Sequence, residues 1–159
     1  MKNHKLIALL ISLAAPLLAG AVGGAVTYSH ITSWYAELAK PVFSPPNWVF
    51  GPVWTMLYIL MGVALYLVWT APKSKKYNKT KAMQAFWVQL ALNVLWSVVF
   101  FGLQSPWLGV IAILALLIAI LLTVQLFQPI SKKAAYLLAP YALWVSFATI
   151  LNTAVASLN

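Results

Sequence analysis

Five apolar stretches of membrane-crossing length decide what this chain can fold into. They run over about 6–26, 48–71, 82–103, 107–127 and 134–156. Each holds about 20 residues, which at about 1.5 Å rise per residue crosses a hydrocarbon layer of about 30 Å. In lipid every backbone polar group needs an internal partner, so only helices and closed barrels cross. The short alternating segments of a membrane barrel are absent. The pattern predicts an all-α fold, an integral membrane bundle of five transmembrane helices forming one domain over 1–159. Composition agrees: 64% of the residues are hydrophobic and only 7% charged, against about 25% charged in a soluble chain.

The few charges set the topology. A net charge of +9 comes from ten basic residues and a single acid. Such a balance elsewhere points to nucleic acid. Here the lysines lie in the connections, so no nucleic-acid partner is expected; the partner they imply is the lipid bilayer. Lys2 and Lys5 precede the first span. Lys73, Lys75, Lys76, Lys79 and Lys81 fill the connection after the second, and Lys132 and Lys133 the one after the fourth. With five spans these all fall on one side, and the other side has only Lys40, offset by Glu37. The positive-inside rule then predicts a multi-pass protein of the cell (cytoplasmic) membrane, N-terminus in the cytoplasm and C-terminus outside.

The connection 28–47 is the most unusual stretch. Pro41, Pro45 and Pro46, with Pro52 just beyond, exclude a regular helix throughout Lys40–Trp54, because proline fixes φ and lacks a donor. The stretch is expected to be a stiff, aromatic-lined loop over the mouth of a cavity, loose without ligand and ordered with it. Asn47 is a candidate N-cap for the second span. Pro16 and Pro140 are expected to kink the first and fifth spans. The first span also resembles a secretory signal peptide with a cleavage site near Ala19–Ala21. Against that, the apolar run continues through Val26, and Gly20-xxx-Gly24 is a spacing that lets helix backbones approach closely.

Catalytic groups are scarce. No ionisable residue lies inside a span, which argues against a proton-coupled pump. There is no cysteine, no acidic pair and no Ser-His-Asp set, so neither a metal site nor a required cofactor is expected. His30 is a lone interfacial histidine, a residue more often solvated than ligating haem iron. What remains is aromatic and neutral. Gln89, Asn93 and Ser97 fall four residues apart on one helical face, with Trp96 and Phe100 beside them. Trp54 and Tyr58 repeat the spacing on the second span, and Tyr141, Trp144, Ala148 and Asn152 form a face on the fifth. Amides are costly in hydrocarbon, so these faces should point inward, either as interhelical glue or as a ligand pocket. Trp34, Trp48, Trp69, Trp87 and Trp107 lie near segment ends, as an interfacial belt would. Trp96 and Trp144 lie deep. Such a set suits a flat, apolar, weakly polar ligand.

Three stretches, WYAELAKPVFSPPNWVFGPVWTMLYILMG, QLALNVLWSVVFFG and PYALWVSFATILN, resemble the TspO/MBR family of tryptophan-rich sensory proteins, relatives of the mitochondrial translocator protein (peripheral benzodiazepine receptor). The resemblance implies a five-helix bundle, often a homodimer, binding protoporphyrin IX, haem, or sterol-like and benzodiazepine-type ligands near the first loop. It places the family's pocket positions at Trp34, Tyr35, Pro45, Pro46, Trp48, Trp54, Asn93, Trp144 and Ala148. Tyr58, Trp96 and Ser97 join this ligand-binding set from the spacing argument. Some members are linked to light- and oxygen-dependent porphyrin breakdown, for which Trp54 and Trp144 are the matching positions. Transport is the remaining alternative. The C-terminal LNTAVASLN lacks the tyrosine and basic residue of the family's cholesterol motif, so sterol recognition of that type is not expected.

Overall fold

The computed structural model describes residues 2–72 and 74–159; Lys73, one of the topogenic lysines, lies outside them. The chain is 83% helical, with no strand among the described residues. Its elements are α1 (Lys2–Ile31), α2 (Trp34–Glu37), α3 (Asn47–Thr70), α4 (Lys79–Ser97, running on as a π-turn over Val98–Gly102), α5 (Pro106–Phe127), α6 (Lys132–Leu137) and α7 (Ala139–Leu158). Five helices are long and apolar enough to cross a bilayer, with α6 and α7 together making the fifth. The chain is a multi-pass membrane protein. Round the bundle the order is α1, α3, α6–α7, α5 and α4.

Helix ends follow local chemistry. Asn78 Oδ1 accepts from Lys81 N at 2.9 Å and caps α4; Ser131 Oγ accepts from Ala134 N at 3.2 Å and caps α6. At the other end of the 71–78 connection, Lys79 Nζ donates to the Trp69 and Ala71 carbonyls at the end of α3. That placement satisfies orphan acceptors and opposes the negative pole of the helix.

Three local expectations need correction. Asn47 does not cap α3. Pro46, in an extended conformation, occupies the cap position, Asn47 is the first helical residue, and no side-chain cap bond forms. Pro140 does not kink a continuous helix. The fifth span breaks at Leu138, and Pro140 sits in the first turn of α7, where its missing N–H belongs to no helical bond. Gly20-xxx-Gly24 is not the close-approach pair either, because a Cβ at Gly24 would meet nothing within 4 Å.

The true point of approach is Gly62 on α3. A Cβ there would lie 2.8 Å from the Ser12 carbonyl oxygen and 2.9 Å from Leu13 Cα. Pro16, buried inside α1, has no N–H to offer the carbonyl four residues back. That carbonyl belongs to Ser12, and its oxygen is the atom nearest to where a Gly62 Cβ would stand. One proline and one glycine thus seat α1 on α3. At Gly20 an added Cβ would overlap the Tyr58 ring.

The interior has two parts. The larger core runs from Leu57, Met61 and Leu65 on α3 through Phe86 on α4 and Leu116 on α5 to Tyr141 and Val145 on α7. The second gathers Tyr35, Phe100, Phe101, Leu151 and Val155 at the end under the 28–47 loop. Between them the helices separate: α3 packs closely on α6 but only lightly on α7.

Candidate ligand cavity

A cavity of about 640 Å³ lies where the helices separate, walled by α1, α3, the outer turns of α4, and α7, with Tyr35 of α2 at its top. One wall is a run of near-parallel rings. Tyr58 stacks on Trp54 with centroids 5.6 Å apart, Trp54 on Trp96 at 6.2 Å, and Trp96 on Phe100 at 5.8 Å. Their interplanar angles lie between 22° and 29°. The spacing comes from helical periodicity: Trp54–Tyr58 and Trp96–Phe100 are each four residues apart, one above the other on a helix face. Trp96 is held by its indole N–H, which donates to Asn152 Oδ1 at 3.0 Å. Asn152 Nδ2 donates in turn to the Pro106 carbonyl at 3.0 Å, which ties α7 to the start of α5.

Below the rings lies a polar layer. The Tyr58 hydroxyl donates to Asn93 Oδ1 at 2.7 Å, and Asn93 Nδ2 donates to the Tyr141 hydroxyl at 3.0 Å. Asn93 is 1% exposed. Its amide therefore joins three helices and orients Tyr58, whose ring lines the cavity. Gln89, equally buried, sets its Nε2 3.9 Å from Met61 Sδ, and its Oε1 has no partner. The face Gln89–Asn93–Ser97 points inward as its spacing required. Removing one partner of a buried pair strands the other. We expect Tyr58→Phe and Asn93→Leu to show a coupling of about 0.6–1.7 kcal/mol in a double-mutant cycle of thermal or denaturant unfolding, the range of hydrogen bonds between membrane helices. Additive effects would mean the bond contributes nothing.

The roof is fastened. Asn159 Oδ1 accepts from Ala39 N at 3.0 Å while its Nδ2 donates to the Ala39 carbonyl at 3.0 Å, so the loop backbone is held from both sides by the end of the fifth span. Lys40 Nζ donates to the Ala36 and Leu38 carbonyls at 3.2 and 3.3 Å and lies 4.8 Å from the Tyr35 ring centroid. Tyr35 packs against Phe100 and Phe101. Burial pushes its phenol above the usual range, and a hydrogen bond with Ser44 only partly offsets this.

Of the sequence-derived positions, Tyr35, Trp48, Trp54, Tyr58, Trp96, Ser97 and Ala148 line the cavity. Trp34 stands one ring away, edge-on to Phe100 at 5.6 Å. Pro45 and Pro46 shape the loop without reaching the wall, and Asn93 lies one layer beneath it. Trp144 packs on Phe50 and Phe147, at 6.0 and 5.5 Å; Phe50 lines the cavity and Trp144 does not, and the Trp144 indole N–H is buried and unpartnered. His30 is outside the wall, its Nδ1 2.9 Å from the Val26 carbonyl. The α1 face and Phe101 were not foreseen. The α1 face mixes small residues, Gly20, Ala21, Gly23 and Gly24, with Leu17, Tyr28 and Ile31, and its one signal in the sequence was Gly20-xxx-Gly24, read above as a packing motif.

Five helices long and apolar enough to cross a bilayer, with an aromatic-lined cavity on the side of the proline-containing loop, define a polytopic membrane protein. A model of the TspO/MBR family matches residues 12–158. The chain is 44% identical over 151 residues to the tryptophan-rich protein TspO of Archaeoglobus fulgidus, covering 95% of this chain and 96% of that one. It is 37% identical over 138 residues to the translocator protein of Homo sapiens, covering 87% and 82%. Against the tryptophan-rich sensory protein of Cereibacter sphaeroides the identity is 33% over 126 residues, covering 79% and 77%. This chain belongs to the TspO/MBR family.

Proposed function

We propose that the protein is a tetrapyrrole-binding sensor or regulator of the cytoplasmic membrane, taking protoporphyrin IX or haem into the cavity, with benzodiazepine-type molecules as competing ligands. The observation that carries this reading is the stacked wall Tyr58–Trp54–Trp96–Phe100 along an opening of about 640 Å³. That volume falls within the usual size of small-molecule sites, about 300–1,000 Å³. Flat conjugated rings gain both apolar burial and ring–ring contact against such a wall. The names of the sensory and translocator relatives fit a membrane protein that responds to or moves a small molecule. Charge distribution supports a cytoplasmic N-terminus with the loop outside. A homodimer is the assembly expected from the family.

Protoporphyrin IX titrated into the protein in nanodiscs should quench tryptophan fluorescence saturably, with one site per chain. Quenching that rises linearly and equals that of empty nanodiscs mixed with free tryptophan would dismiss the reading. The second reading is photo-oxidative breakdown of the bound porphyrin, favoured by Trp54 lying in the wall itself with Trp96 stacked on it. Under light and dioxygen the bound porphyrin should then bleach faster than the free one, and Trp54→Phe should remove the difference.

A further inference from the structure

The cavity has two kinds of wall. On the α4 and α7 side it is backed by buried residues, Phe100, Phe101, Leu151 and Val155. On the α1–α3 side the backing stops. Deep in the bundle these helices touch, with Gly20 against the Tyr58 ring and Gly62 against Ser12 and Leu13. Nearer the loop two glycine positions have no neighbour. A Cβ at Gly24 on α1 or at Gly51 on α3 would meet nothing within 4 Å, though both glycines line the cavity. Both are exposed, as are Tyr28 at 80% and Trp48 at 75%, which line the cavity beside them. Gly24 lies roughly 10 Å in from Ile31 at the end of α1, and Gly51 roughly 6 Å in from Asn47 at the start of α3. At that depth the neighbour is lipid near the interface, where exposed tyrosine and tryptophan belong. The roof, by contrast, is tied through Ala39, Lys40 and Tyr35.

The geometry points to a window between α1 and α3, bounded by Gly24 and Gly51, through which the cavity is loaded from the leaflet on the loop side. The substrate class is then a flat, apolar molecule already dissolved in the membrane, and the 28–47 loop is a roof rather than a door. The two glycines keep the window open because any larger side chain would stand in it. This rests on the cavity being a ligand site, as read above, but not on the ligand being a tetrapyrrole.

The chain has no cysteine, so a single thiol reports cleanly. Ala148→Cys places one on the cavity wall; Ser97→Cys is the replacement should the first fail to fold. In reconstituted vesicles the probe is a long-chain alkyl maleimide dissolved in the bilayer, with adduct formation followed by mass spectrometry. Adding Gly24→Leu and Gly51→Leu is expected to slow the reaction about tenfold, and a charged, water-soluble maleimide should react more slowly than the alkyl one. Equal rates with and without the two leucines, or a faster reaction from water, would overturn the window. Protection of the thiol by protoporphyrin IX is a separate readout. If it protects nothing while the leucines still slow the alkyl reagent, the tetrapyrrole reading falls and the window stands.

Discussion

Gly62→Leu is expected to yield no folded protein, and Gly62→Ala to destabilise the bundle by about 1–3 kcal/mol, the usual range for overpacking. The added carbon would press on backbone atoms, the Ser12 oxygen at 2.8 Å and Leu13 Cα at 2.9 Å. A flexible side chain swings away from such a contact, but two helix backbones have to separate. The Ser12 carbonyl, which Pro16 leaves without its helical donor, is among the atoms that would have to move. The control is Gly24→Ala, where the new methyl meets open space and the change should stay within about 0.5 kcal/mol. Thermal unfolding in detergent, followed by tryptophan fluorescence, reads both variants. If Gly62→Ala melts with the parent, the helices are not in backbone contact there.

Trp54→Ala should weaken protoporphyrin binding by about 2 kcal/mol, roughly thirtyfold, as expected for loss of a central aromatic anchor. Trp54 sits in the middle of the stacked wall and touches three other aromatic rings, Tyr58, Trp96 and Tyr141. Trp144→Ala should weaken it far less, because Trp144 does not line the cavity and touches the wall through Phe50. Both variants are read by equilibrium titration in nanodiscs, following porphyrin absorbance rather than protein fluorescence so that the lost indole does not bias the signal. Equal losses at the two positions would mean that the ligand displaces Phe50 and reaches Trp144 directly.

Much of this was legible in the sequence because a membrane leaves so few options. Long apolar runs had to be helices, and amide-bearing faces had to turn inward; Gln89, Asn93 and Ser97 did so. The paired spacings Trp54–Tyr58 and Trp96–Phe100 put those rings one above the other, and all four line the cavity. The harder features depend on which helix meets which. Nothing in the order of residues says that Phe50 lines the cavity and Trp144 does not, since that depends on where α3 crosses α7. Gly24 and Gly62 look alike as letters, yet one faces open space and the other a carbonyl, and only the helix pairing separates them. Asn93 was expected to line the pocket. Its two tyrosine partners, on separate spans, claim its amide instead.

Among the described residues, no charged side chain lines the cavity. On the loop side, the ammonium of Lys40 is already shared between two carbonyls and a ring. A dicarboxylate guest would therefore find no counter-ion within the site and would leave its acid groups among lipid headgroups and water. Recognition of this kind is indifferent to ionic strength, and esterifying the acids would cost the complex little. Selectivity for such a guest would then come from its shape and planarity and from its partition into the bilayer.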